Sequence, residues 1–158
     1  MKFSTREDVE APAEFVFQQF ADFEVFERQA LRRGADVQRR DTGPVRTGSI
    51  WDVAFSFRGK DRKLSAELTR LDSPQLIHVS SKSGGIDGLT AIELVPLSPQ
   101  RTRIAVSIEL RASSLSARLL LQSLKLAKSN LTARFKKRVA VYASDIEDRY
   151  KGPRTTRA

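Results

Sequence analysis

Cysteine is absent from this 158-residue chain, and histidine, tryptophan and methionine occur once each. Without cysteine there is no disulfide framework and no thiolate nucleophile or ligand, and a lone His78 cannot anchor a histidine-based metal site. No metal and no cofactor is therefore expected, and redox chemistry does not fix the compartment. Long apolar runs are missing too: nothing approaches the roughly 18 consecutive apolar residues of a membrane span. The opening MKFSTREDVE has no apolar segment behind its lysine, so a cytoplasmic location is the expectation. Acidic residues are scarce at one end. Residues 118 to 158 carry 11 Lys/Arg against 3 Asp/Glu, whereas residues 1 to 117 carry 17 against 16. Nearly all of the net charge of +9 thus belongs to the C-terminal quarter.

What is present is the amount of apolar side chain that one ordinary domain needs, and a chain of this length supports one core. A loosely alternating KFSTREDVE is followed by Ala11-Pro12, where proline suits a helix start and Glu14 complements the helix dipole. Asp22 can cap a second short helix. From Ala35 to Ser113 the texture is alternation, punctuated by TGPVRTG, RGKD, DSPQ, SGGIDG and PLSPQ, which outlines about six strands. In SIWDVAFSFR, Trp51, Val53, Phe55 and Phe57 share a face opposite Asp52, Ala54 and Ser56. RIAVSIELRA sets Ile104, Val106, Ile108 and Leu110 against Ser107, Glu109 and Arg111, and KLSAELTRL sets Leu64, Ala66 and Leu68 against Ser65 and Glu67. One face buried and one wet is the antiparallel pattern. After Ser113 the period becomes helical. Leu120, Leu124, Ala127, Leu131, Phe135, Val139, Tyr142, Ile146 and Tyr150 form one stripe on a helix of about 50 Å, stopped by Gly152-Pro153. We expect a single domain over residues 1 to 152 and a flexible tail over 153 to 158.

The order strand, two short helices, about six more strands and a long amphipathic C-terminal helix resembles the START/Bet v 1-like (SRPBCC) superfamily. The residues carrying the likeness are VEAPAEFVFQQFADFEVF, GSIWDVAFSF, LTRLDSPQLIHVSSK, LTAIELVPLSPQRTRIAV and the final helix, so it spans residues 2 to about 150. The resemblance implies an α+β helix-grip fold, a curved antiparallel sheet of about seven strands around the last helix. It implies a cavity between sheet and helix, where members bind lipids, sterols, quinones, polyketides or other apolar molecules, some as carriers and some as cyclases or hydrolases. Fold does not choose among these activities.

Within that frame the expected lining of the cavity is Trp51, Val53, Phe55, Leu68, Ile92 and Ile108 from the sheet, with Leu124, Leu131 and Phe135 from the helix. The indole N–H of Trp51 is available in principle to orient a ligand. Lys128 sits at the edge of the helical stripe, where it either lies along the apolar wall with its ammonium in water or meets a head group at the mouth. The five phenylalanines between Phe15 and Phe26 are too costly to leave exposed, and read as a core support under the long helix. Phe20 and Phe26 fall nearest the cavity end.

No catalytic constellation emerges. Asp52, Glu67, Glu93 and Glu109 fall on the face opposite the large apolar residues, which disfavours paired-carboxylate chemistry. His78 lies on the wet face if Ile77 and Val79 point inward, and on the cavity side if Leu76 does. SGGIDG has no helix behind it, so it reads as a hairpin, or at most a lid, rather than a phosphate loop. The leading reading is a binder or carrier of a small hydrophobic molecule. One alternative is a cyclase or hydratase using His78 or Lys128. Another is an interaction module whose basic helix meets RNA, a ribosome or an anionic membrane. Nucleic acid is disfavoured, because no aromatic platform accompanies the charges.

Overall fold

A computed structural model describes residues 1 to 152. Chain order is β1 (Lys2–Val9), α1 (Ala13–Ala21), α2 (Phe23–Arg32), β2 (Asp36–Arg39), β3 (Ile50–Phe57), β4 (Lys60–Asp72), β5 (Leu76–Ser83), β6 (Ile86–Ser98), β7 (Arg101–Ala112), α3 (Leu115–Leu126) and α4 (Lys128–Lys151). The tail expected beyond residue 152 lies outside the described residues.

All seven strands join one antiparallel sheet in the order β1-β7-β6-β5-β4-β3-β2. The chain's first strand closes onto its last, and the other six are consecutive meanders. Two of the connections are two-residue turns in which both central residues have positive φ, Arg58-Gly59 between β3 and β4 and Gly84-Gly85 between β5 and β6. That geometry matches strand twist, and glycine supplies it without steric cost.

Alternation sets the two faces. Phe3 pairs with Ile108, Ile108 with Thr90, Thr90 with Val79 and Val79 with Leu68, so these side chains share the inner face. The outer face carries Asp52, Glu67, Glu93 and Glu109. Asp52 is held by Arg40 in a bidentate pair at 2.8 Å, and Glu109 by Arg111. Each arginine, hydrogen-bonding its carboxylate, lowers that carboxylate's pKa.

The main core lies under α1 and the C-terminal half of α4. It joins Val9, Val16, Phe17 and Phe20 to Trp51, Leu68, Ile77, Leu94, Ile104 and Val106, and closes with Ala143 and Ile146. The phenylalanine-rich stretch fills this region as the sequence requires. Phe17 and Phe20 are buried, and Phe15, Phe23 and Phe26 pack against the same cluster. Their rings meet aromatic partners: Phe20 and Phe26 flank Tyr142, with centroids at 5.0 and 5.7 Å, Phe15 meets Tyr150, and Phe23 meets Trp51. Such tilted and edge contacts suit the ring quadrupoles.

The C-terminal segment differs from expectation in one respect. Ala127, at φ −103° and ψ 12°, leaves helical geometry and divides it into α3 and α4. The Oγ of Ser114 accepts from the Ala117 N–H and starts α3. Ser129 and Asn130, both modest helix formers, follow the break. The 24 residues of α4 still make a rod of about 36 Å.

Candidate functional site: the open end of the grip

Inward-pointing side chains are not buried equally along the sheet. At the end under α1, Leu68, Ile77, Leu94 and Ile104 have 3% exposure or less. Toward the other end, under α3 and the first turns of α4, Phe3, Ala117 and Leu121 are buried, but several other side chains on that same inner face stay partly exposed. These are Phe55, Leu64, Ile108 and Leu110 from the sheet, and Leu120, Leu124 and Leu131 of the helices are likewise partly exposed. None of these seven belongs to the core cluster or packs against it. The grip is filled at one end and left open at the other.

Polar groups and a glycine punctuate this open wall. Ser81 and Thr90 face inward, because Ser81 pairs with Ala66 and Gly88, and Thr90 with Val79 and Ile108. Their hydroxyls can donate or accept a hydrogen bond. Gly88 sits between them, and a Cβ there would come 2.6 Å from Ser81 Oγ and 3.4 Å from Leu110 Cδ2. Glycine therefore accommodates the close approach of the Ser81 side chain at that point of the wall. The hairpin tip beside it is tied down: the Gly85 carbonyl accepts from both the backbone N–H and the Oγ of Ser113, at 2.8 and 3.0 Å.

The residues singled out in the sequence divide between the two ends. Phe55, Ile108, Leu124 and Leu131 lie at the open end. Phe20, Trp51 and Leu68 are buried members of the filled core, and Val53, Ile92, Phe26 and Phe135 pack against it. Phe135 also meets Phe3, with ring centroids 6.1 Å apart. The indole N–H of Trp51 is already engaged, donating to Glu27 Oε1 at 2.6 Å, and so is not free to orient a ligand. Lys128 is the exposed first residue of α4, at the break. His78 lies on the outer face, opposite Arg70 on one side and Ala91 on the other. The frame with Ile77 and Val79 inward is the one adopted. Leu64, Leu110, Leu120, Ser81, Thr90 and Gly88 were not among the candidates, although the alternation that placed Phe55 and Ile108 also places the strand residues among them.

Three surface hollows surround this frame. One of about 820 Å³ runs over the outer face along the row Gln38, Asp52, Ser65, Lys82 and Asp87 and is bordered by Val53. A second, of about 520 Å³, lies beside β1 between Lys2, Arg6, Glu93 and Lys136. The third, of about 1000 Å³, separates α2 from α4. Phe26, Phe135, Val139 and Tyr142 form its floor, and Arg32, Arg33, Arg134, Lys137 and Arg138 its cationic rim. Beneath that floor burial pushes the Tyr142 phenol from 10 up to about 12, against the opposing influence of Arg149. Its hydroxyl donates to the Gln19 carbonyl at 3.0 Å.

No family model matches the sequence, and no curated protein matches it. Solved structures do. A point mutant of norcoclaurine synthase from Thalictrum flavum, in complex with a transition-state analogue, is similar with a TM-score of 0.62 at 17% identity, covering 94% of this chain and 96% of that one. The Zhui aromatase/cyclase from Streptomyces sp. R1128 is similar at 0.58 and 14%, covering 82% and 86%. The Mll3558 protein from Rhizobium loti is similar at 0.55 and 22%, covering 84% and 95%. These likenesses extend over most of the chain, and with its seven-stranded antiparallel sheet and long final helix the fold is an α+β helix grip of the Bet v 1-like kind.

Proposed function

We propose that this protein binds a small hydrophobic molecule at the open end of its grip and acts as a binder or carrier. One observation carries the reading: Phe55, Leu64, Ile108, Leu110, Leu124 and Leu131 face inward yet remain partly exposed, while Leu68, Ile77, Leu94 and Ile104 at the other end are sealed. Apolar surface left in contact with water gives up about 25 cal/mol per Å², and a ligand that covers it recovers that amount. Ser81 and Thr90 would orient its polar group. The norcoclaurine synthase of similar fold has been solved in complex with dopamine and hydroxybenzaldehyde, which supports a small-molecule ligand.

A carrier fits better than the cyclase or hydratase alternative because His78, one of its two candidate groups, is misplaced, and the other, Lys128, is exposed at the start of α4. His78 is on the outer face, where no molecule held inside the grip can reach it.

Native mass spectrometry of freshly purified protein, followed by displacement of a bound apolar dye with lipids, quinones and polyaromatics, tests the proposal. We expect a copurified apolar mass or saturable displacement, abolished by Leu124→Asp with the fold intact by circular dichroism. Absence of both, or binding unaffected by Leu124→Asp, would overturn it. Trp51 fluorescence should change little on binding, since the indole sits in the filled end against Phe23 and Glu27.

A further inference from the structure

The outward side of α3 is unusual for a surface helix. Leu115, Leu119 and Leu126 are 74%, 58% and 92% exposed. At 3.6 residues per turn they fall within about 40° of one another, forming a ridge about 16 Å long. The opposite side of the same helix supplies the buried Ala117 and Leu121. Apolar residues on the core side are accounted for; the outer ridge has no partner among the described residues.

Charge along this ridge is predominantly positive, with Asp61 of the adjoining hairpin, which accepts from Ser56 Oγ, the one nearby acid among the described residues. Arg118 and Lys125 flank it and Lys128 follows at the break, and residues 113 to 144 contain seven Lys/Arg and no Asp or Glu. The tip of the β3–β4 hairpin adjoins it, because Arg58 Nη1 donates to Ser123 Oγ at 2.7 Å. That tip brings Phe57, 38% exposed, with the guanidinium carbons of Arg58 and Arg62 each 5.6 Å from its ring centroid. Lys60 extends the cationic margin. None of these six cations forms an ion pair with a carboxylate among the described residues.

We propose that α3 and the β3–β4 hairpin tip form a docking face for an anionic lipid bilayer. Leucines enter the interface between head groups and acyl chains, while arginines and lysines stay at the level of lipid phosphates. A second copy of this chain is a poor occupant. Facing ridges would set Arg118, Lys125 and Lys128 against their own equivalents, with no acid in the stretch to compensate. Nucleic acid is a poor occupant as well, since leucine rather than cation or aromatic occupies the centre of the face. The face covers the helix that roofs the open end of the grip, so docking would place that end next to the lipid. Docking does not depend on the ligand reading, and either can fail alone.

Cosedimentation of the full chain with vesicles of phosphatidylcholine, alone or mixed with phosphatidylglycerol, tests the proposal. Binding is expected only to the mixed vesicles, weakening as salt is raised. The double variant Leu119→Ser with Leu126→Ser keeps every charge and alters only exposed side chains, and should bind at least about tenfold less. Arg118→Glu with Lys125→Glu should lose a similar factor. Because the chain lacks cysteine, Leu126→Cys can carry one environment-sensitive label, whose emission should shift blue on anionic vesicles. Binding that ignores the leucine variant would overturn the proposal in favour of unspecific charge attraction. No binding at all would overturn it, as would a concentration-dependent dimer that the leucine variant disperses. Apolar dye displacement should be unchanged in that variant, which separates this result from failure of the ligand reading.

Discussion

Trp51 and Glu27 are 24 positions apart, yet their side chains meet at 2.6 Å through the only indole in the chain. A buried indole whose N–H loses its acceptor pays for desolvation without return. Glu27→Leu is therefore expected to lower stability by about 1 to 3 kcal/mol, measured by urea unfolding, with a shift in Trp51 emission. Strand alternation announced that Trp51 points inward. Nothing announced Glu27, since helix register alone does not tell which carboxylate crosses to the sheet. Tyr142 carries a second expectation. Its neutral phenol is favoured in the fold, with a pKa of about 12, while the unfolded chain ionises at the ordinary value near 10. The stabilisation from this group is complete below pH 10 and disappears as pH rises toward 12. Unfolding midpoints measured across that window should fall further for the native protein than for Tyr142→Phe, and the high phenolate titration step should vanish in the variant.

Strands were the most legible elements, because a period of two with one wet face leaves little choice of register. The first two helices were legible from Pro12, Asp22 and the phenylalanine clusters, though the structure places Pro12 at the N-cap of α1 and gives Asp22 no side-chain capping bond. The division between α3 and α4 was not legible. Neither proline nor glycine marks Ala127, and the apolar stripe continues through it, so periodicity alone predicts one rod. Filling of the grip was hidden for a related reason: an inward side chain reads the same whether it meets another side chain or a void. The two ends should respond differently to truncation. Ile146→Ala, at a fully buried position on α4, should cost about 2 to 5 kcal/mol. Leu124→Ala, on the open side of α3, should cost much less stability while weakening ligand binding. Comparable losses at both positions in chemical denaturation would show that the open end is packed after all.

At the scale of the whole molecule, net charge and fold are nearly independent. The sheet and most of its core use residues 1 to 112, where the charges almost balance, whereas most of the basic excess rides on the helices that close the grip. No helix among the described residues is long and apolar enough to cross a membrane. The location of the excess was visible in the sequence; its meeting with an exposed leucine ridge was not, because the ridge appears only once α3 is separated from α4 and its inner side is spent on the sheet. The amino end supplies a practical consequence. The Met1 ammonium donates to the Leu110 carbonyl at 2.9 Å, and the Leu110 N–H donates to the Met1 carbonyl at 2.8 Å. A purification tag fused ahead of Met1 would emerge beside Leu110 of β7, crowding the open end of the grip where ligand binding is proposed. Affinity measurements on this protein call for a carboxy-terminal or fully removable handle.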